Sequence, residues 1–293
     1  MVEKTRTLLA RFVPGLRDLL SRGSAGWMTF IGFVIVSSIV CMTLIGPWIA
    51  PYDPVDQLRH APRLGAPSWE FPLGTTVLRE DMLSRILTGG STMIQVASLS
   101  ALICFIVGVP LGLFSSYVGG KIDKVFSIVM DSIYAFPGLV LAIAIAAMLG
   151  RGGFSMALAI SVVYIPSYFR VVRSQVLTIK ELPYTAAAKA AGARWHTILF
   201  THILPNVVPS IVVVATVNFA DAILTAAGLT FVGLGVQIDV PDWGRDLTSG
   251  REVLASGAWW VIAFPGLMII LLTLGFTLIG EGLSELTTPK LRE

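Results

Sequence analysis

The sequence predicts an all-α polytopic membrane protein with six transmembrane helices and both termini in the cytoplasm. Three observations carry this. Of 293 residues, 55% are hydrophobic and only 13% are charged, whereas a soluble domain carries roughly 25% charge. The apolar residues lie in long uncharged runs, each offering ~18 or more positions, enough for a helix to cross ~30 Å of hydrocarbon. These runs are continuous and lack the period-2 alternation of a transmembrane strand. The same composition excludes a disordered chain, a coiled coil and a nucleic-acid-binding module.

Residues 1–26 form a charged, amphipathic tail, expected in the cytoplasm. The first span, 27–50, is too long for the apolar region of a signal peptide and is followed by Pro51, a poor residue after a cleavage site. It reads as a retained helix. Residues 51–85 form an extracytoplasmic segment, and 86–293 hold a core of five further helices. The run 86–120 is too long for one span, so its start is interfacial. Next come 125–150, with Asp131 as its one internal charge, and 152–169. The run 206–236 contains only Asp221, and 258–280 is the last.

Lys and Arg set the direction, because cytoplasmic loops are enriched in them. With the N-terminus inside, 14 of the 21 basic residues fall in the cytoplasm. They include Lys121, Lys124, Arg170, Arg173, Lys189, Arg194 and Lys290. Arg59, Arg63, Arg79, Arg85, Arg151, Arg245 and Arg251 fall outside.

No catalytic pattern is visible. His60, His196 and His202 form no H-E-x-x-H pair, and no G-x-S-x-G elbow occurs. A phosphate loop needs G-x-x-x-x-G-K-[ST], and Gly119-Gly120-Lys121-Ile122 lacks both the leading Gly and the hydroxyl. No metal set is apparent. Cys41 and Cys104 sit in apolar runs, where a free Cys acts as a small hydrophobe. Ionisable residues inside a membrane are costly and point to function. Asp131 and Asp221 are therefore the translocation-pathway candidates, with helix capping or interhelical pairing as the structural alternative. A secondary carrier usually needs more such groups and repeated halves, and a channel needs a charged ring or carbonyl filter. Neither is evident.

The informative stretch is the cytoplasmic loop 173–205. Pro183 suits a first helical turn, and Thr185 to Ala191 is dense in the strongest helix former. Gly192 fits the position just past a helix end that needs positive φ. A second short helix is expected from Arg194, ending at Pro205. The result is a helix–Gly–helix element whose Ala and Gly let another protein approach the backbone closely.

This stretch resembles the EAA loop of the permease subunits of ABC importers, E-A-A-x3-G-x9-I-x-L-P. Ala187, Ala188, Gly192, Leu204 and Pro205 match in spacing, while Ala186 replaces the usual Glu and His202 the usual Ile. Other strings resemble the dipeptide/oligopeptide/nickel branch in order and spacing. Phe71-Pro-Leu-Gly-Thr75 resembles H-P-L-G-T. It leads towards that branch's G-R-D, of which Arg79-Glu80-Asp81 keeps only the Asp. Asp131 to Pro137 resembles D-x4-F-P. Phe231 to Gln237, then Pro241-Asp-Trp-Gly244, resemble F-L-G-L-G-V-Q and P-x-W-G. The short tail and modest first loop look like the C-type second permease of the pair.

The resemblance implies a type I importer permease in a prokaryotic inner membrane. It implies a heterodimer with a second homologous permease, two cytoplasmic ATPase subunits that hold ATP and Mg, and an extracytoplasmic solute-binding protein. Membrane lipid is a further expected partner, nucleic acid is not, and no cofactor is expected in this chain itself. Its function would be to form half of a pathway for peptides or similar small solutes by alternating access. The same machinery importing nickel or oligosaccharides is the alternative. The coupling loop would comprise Tyr184, Ala186, Ala187, Ala188, Lys189, Gly192, Leu204 and Pro205. The acidic outer loop, with Asp242, Trp243 and Asp246, is expected to face the binding protein. For the topology, a cysteine label applied from outside is expected to reach position 243 and to miss position 189. The reverse pattern would overturn the orientation.

Overall fold

The computed structural model describes residue 19, residues 21–235 and residues 240–287, and among these the secondary structure is helical, apart from one isolated bridge between Thr75 and Asp81. Lys290, on which part of the topology rests, lies outside the described residues. The helices are α1 (Ser24–Ile49), α2 (Met82–Thr88), α3 (Gly90–Val118), α4 (Gly120–Tyr134), α5 (Gly138–Leu149), α6 (Gly153–Ile179), α7 (Pro183–Ala190), α8 (Trp195–Thr197), α9 (Leu204–Phe231), α10 (Trp243–Val253) and α11 (Trp260–Thr287). A π-helical segment, Ile198–Ile203, joins α8 to α9. Among the described residues five stretches are long and apolar enough to cross a membrane, and the bent pair α4–α5 makes a sixth. The chain is an all-α polytopic membrane protein.

Small residues bring the long helices together, as they do where no hydrophobic drive separates helix from lipid. A Cβ on Gly108 of α3 would stand 2.8 Å from the Tyr168 Cβ of α6, and one on Gly112 would stand 2.9 Å from the Phe169 carbonyl oxygen. The G-x-x-x-G step is thus the α3–α6 contact. Gly32 of α1 faces Gly275 of α11 in the same way. Two apolar cores result. One contains Met93, Met156, Ile160, Ile223 and Trp243. The other contains Cys104, Tyr168, Val172, Ile198 and Ile203 and lies beneath the coupling loop.

Three sequence expectations need correction. The third run is not one straight span, because α4 and α5 meet at 91°. Pro137 has no N–H to continue α4 and disfavours a helical conformation in the residue before it. Next, α6 continues past Phe169 to Ile179, since Val172, Val176 and Ile179 keep a buried helical stripe. The loop that follows α6 therefore starts at Lys180 rather than 173. Lastly, Pro205 does not end a helix but sits in the first turn of α9. A proline ring clashes with the carbonyl four residues earlier, and the wider π turn just before α9 relieves that crowding.

The outer loop also differs. Asp242, Trp243 and Asp246 are 1%, 0% and 3% exposed, so these side chains present no surface to a binding protein. They form an internal clasp instead. The Trp243 indole lies against Gly89 and Gly90, where any Cβ would strike its ring, and its Nε1 donates to the Ile86 carbonyl at 3.1 Å. Arg85, itself 2% exposed, donates through Nε to Asp246 at 2.8 Å and through Nη1 to Glu80 and the Pro54 carbonyl, each at 2.9 Å. One guanidinium joins the extracytoplasmic segment, α2 and α10. Trp260 adds a further tie, its Nε1 donating to the Thr75 carbonyl at 3.1 Å. Because position 243 is sealed, the outside label belongs at Arg63, which is exposed.

Asp242 caps α10 through Oδ1, which accepts from the Arg245 N–H at 3.0 Å, while Oδ2 has no partner among the described residues. Burial pushes its carboxyl from 3.8 up to about 6.

Two predictions follow from the clasp. Arg85→Ala leaves Glu80 and Asp246 buried without their cation, which should cost about 3–5 kcal/mol and appear as a lowered midpoint of thermal unfolding in detergent. For Asp242 the folded value lies above the unfolded one. Its contribution to stability is therefore present below about 3.8 and lost as pH rises through about 6. Asp242→Asn keeps a capping oxygen and removes the charge. It should raise the midpoint at pH 7, leave it nearly unchanged at pH 4, and flatten the profile between. An unchanged slope would show that Asp242 does not titrate in this window.

Candidate functional site

The coupling helix is built from the residues upward. Pro183 occupies the first turn of α7, where its missing N–H is not needed. Thr185 turns inward, its hydroxyl donating to the Ile179 carbonyl at 3.0 Å. Ala188, one turn on, is half-buried against the core that contains Ile198 and Leu199. The opposite face carries Tyr184, Ala186, Ala187, Lys189 and Ala190, all exposed. Gly192 then reverses the chain with φ 81°. Its N–H donates to the Lys189 carbonyl and that of Ala193 to the Ala188 carbonyl, both at 3.0 Å, which is the Schellman pairing. Nothing lies within 4 Å of a Cβ built on Gly192, so the requirement is for backbone conformation alone. Leu204 and Pro205 lie in the first turn of α9, where the adjacent Asn206 Nδ2 donates to the Tyr184 hydroxyl of α7 at 3.5 Å.

Three residues separate α6 from α7, and the end of α6 is tied down on two sides. Lys180 donates through Nζ to the Ser116 carbonyl near the end of α3 at 3.2 Å. Arg173 grips Asp123 of α4 with two bonds of 2.8 and 2.7 Å. One turn earlier, Arg170 holds Asp131 of α4 at 2.7 Å and lies over the Tyr134 ring, 4.1 Å from its centroid. Asp131 is thus an interhelical partner, on a half-open surface where the two side chains are 42% and 61% exposed. The Arg173–Asp123 pair was not anticipated. Its signal is two arginines three apart facing two aspartates eight apart, legible only once α6 is known to include them.

Asp221, the other pathway candidate, lies on α9 and is half-buried. Its carboxylate makes no hydrogen bond or ion pair among the described residues. It is not brought to Asp131. Its neighbours are polar contacts across the α6–α9 seam, where the Tyr164 hydroxyl meets the Thr225 hydroxyl at 2.8 Å and Ser167 donates to Asn218 Oδ1 at 3.4 Å. The described residues contain no group of three or more potential metal ligands.

Comparison with known proteins accords with this geometry. Residues 108–293 match the family model described as binding-protein-dependent transport system inner membrane component. Residues 27–67 match the N-terminal TM domain of oligopeptide transport permease C. The chain is 39% identical to a di/tripeptide transport system permease protein of Pseudomonas aeruginosa, over 89% of this chain and 88% of that one. It is 37% identical to a dipeptide transport system permease protein of Alkalihalophilus pseudofirmus, over 90% and 86%. A glutathione transport system permease protein of Pectobacterium atrosepticum is 36% identical, over 88% and 86%. With a helical body of up to six spans, a short small-residue helix outside them and these matches, the chain belongs to the binding-protein-dependent inner-membrane transport components, as an ABC importer permease of the dipeptide/oligopeptide/nickel branch.

Proposed function

We propose that this chain forms half of the translocation pathway of an ATP-driven importer of short peptides, working by alternating access. A second, homologous permease supplies the other half. Two cytoplasmic ATPase subunits hold ATP and Mg, and an extracytoplasmic binding protein delivers the substrate. The names of the relatives, which speak of di/tripeptides, dipeptides and glutathione, favour peptides over nickel or oligosaccharides. On the outer lobe exposed charges of both signs are interspersed, with Arg59, Arg63 and Arg79 around one groove with Asp56, and Asp53 and Glu70 exposed on the same segment.

The observation that carries this reading is the mechanical continuity of α7 with the membrane body. An exposed Ala-rich helix stands three residues from the end of α6, and α6 is clamped to α3 by Lys180 and to α4 by Arg173 and Arg170. A displacement of α7 by an ATPase would move these elements together, and the 91° joint at Pro137 is where α4 can swing against α5. The missing side-chain bulk at Ala186, Ala187 and Ala190 lets the ATPase approach the α7 backbone. Shape counts for more here than charge, because exposed pairs made by Lys189 or Arg194 are worth only ~0–1 kcal/mol.

The test is made on the assembled complex in vesicles. Gly192→Val forces a Cβ into a left-handed conformation, at a cost of roughly 1–2 kcal/mol, and Ala187→Trp fills the docking face. Both should uncouple ATP hydrolysis from uptake and lower uptake by about tenfold or more, which is ~1.4 kcal/mol. The thermal midpoint of the membrane part should stay as in the parent. Normal assembly and uptake in both variants would show that this loop is not the docking site.

A further inference from the structure

The α6–α9 seam carries a polar track whose middle is unsatisfied. On α6, Tyr164, Ser167 and Arg170 follow one another at three-residue steps. Each has a polar contact: Thr225, Asn218 and Asp131 respectively. Between the Thr225 and Asn218 contacts lies Asp221, three residues from Asn218 on α9, so their Cβ atoms are neighbours at roughly 5–6 Å. Thr225 is one turn further on and donates to the Asp221 carbonyl at 2.8 Å. The Asp221 carboxylate has no partner among the described residues. Asn218, only 7% exposed, leaves its Nδ2 without a hydrogen bond. An acceptor with no cation and a buried donor with no acceptor thus sit side by side.

Depth sharpens the point. Asp221 lies ten residues before the outer end of the 28-residue α9, roughly 15 Å along the helix, near the middle of a ~30 Å hydrocarbon layer. Intramembrane carboxylates face a bundle interior or water rather than lipid. Lower on α6, the half-exposed Arg170 pairs with Asp131 of α4, so α6 presents polar groups at both depths. Hydroxyl and amide groups line the interval. Arg170, the cation at the lower level, stands six residues from Tyr164, about 9 Å along α6.

We propose that Asp221 receives the α-ammonium group of a short zwitterionic peptide during its passage. Asn218, Tyr164 and Thr225 contact its peptide groups, and Arg170 meets its carboxylate. Asp221 lies level with the stretch of α6 between Tyr164 and Ser167, roughly 5–9 Å along the helix from Arg170, and a dipeptide extends over roughly 7 Å. This rests on the peptide-importer reading above and adds where in this chain the substrate's charged ends are recognised.

The test uses the complete importer in proteoliposomes, with one preparation of binding protein throughout, and compares dialanine with N-acetyl-dialanine. The parent is expected to import dialanine in preference. Asp221→Asn should cut dialanine uptake about tenfold, equivalent to ~1.4 kcal/mol, while leaving N-acetyl-dialanine nearly unchanged, so the preference collapses. Asp221→Glu should restore most of it. Because the binding protein is the same in every arm, a change in the ratio belongs to the permease. An equal fall for both peptides, or no fall, would overturn the proposal and leave the importer reading intact. Recovery of Asp221→Asn on neutralising a cation in the second permease would overturn it in favour of an ion pair between subunits. A parent complex that imports neither peptide would instead overturn the peptide reading itself.

Discussion

A backbone in hydrocarbon must satisfy its own N–H and C=O groups, because no water is there to do so. The positions at which this chain stops being helical follow from that constraint. α3 gives way to α4 at Gly119, whose φ of 74° turns the chain while its N–H still reaches the Ser115 carbonyl. Between α4 and α5 the N–H groups of Ala135 and Phe136 still find the Asp131 and Ile133 carbonyls, and Pro137 has no N–H to lose. The sharp joint is therefore made where a donor is missing from the sequence. Pro110, Pro166 and Pro265, by contrast, are carried inside continuous helices. Proline alone does not set a hinge here.

The charged residues are arranged by a second constraint, the cost of burying a charge without a partner. On the outer side Arg85 satisfies it by joining Glu80 and Asp246 from distant parts of the chain. At the other end of the helices Arg173 satisfies it for Asp123, while the Arg170–Asp131 pair beside it is largely exposed. Each device joins elements that are distant in the sequence or lie on different helices. Asp221 makes no such pair among the described residues.

Much of this was legible in the sequence, for reasons that differ by element. The spans show as uncharged runs, and α7 with its Gly192 reversal shows as local chemistry: a proline start, an alanine run and a glycine needed for positive φ. The rest was hidden because it depends on tertiary partners. That α6 extends to Ile179 follows from Val172 and Val176 being buried beneath the loop, which no charge count reveals. The acidic outer loop read as a surface because Asp242 and Asp246 are charged, yet an arginine 161 positions before Asp246 draws it inside. Pro205 read as a stop because proline usually ends helices, whereas a wide turn before it lets the helix run on.

That wide turn has a consequence of its own. A π segment accommodates an extra residue relative to an α-helix of the same height, and each residue rotates an α-helix by about 100°. The six residues Ile198–Ile203 therefore act as a phase setting between α9 and everything leading into it. One residue fewer would turn the Trp195 and α7 side of the chain by over a quarter of a revolution about the α9 axis. The azimuth at which the small-residue face of α7 is presented is thus written in the length of this segment as much as in its side chains. Insertions and deletions there would be felt as misalignment, even with every residue of α7 intact.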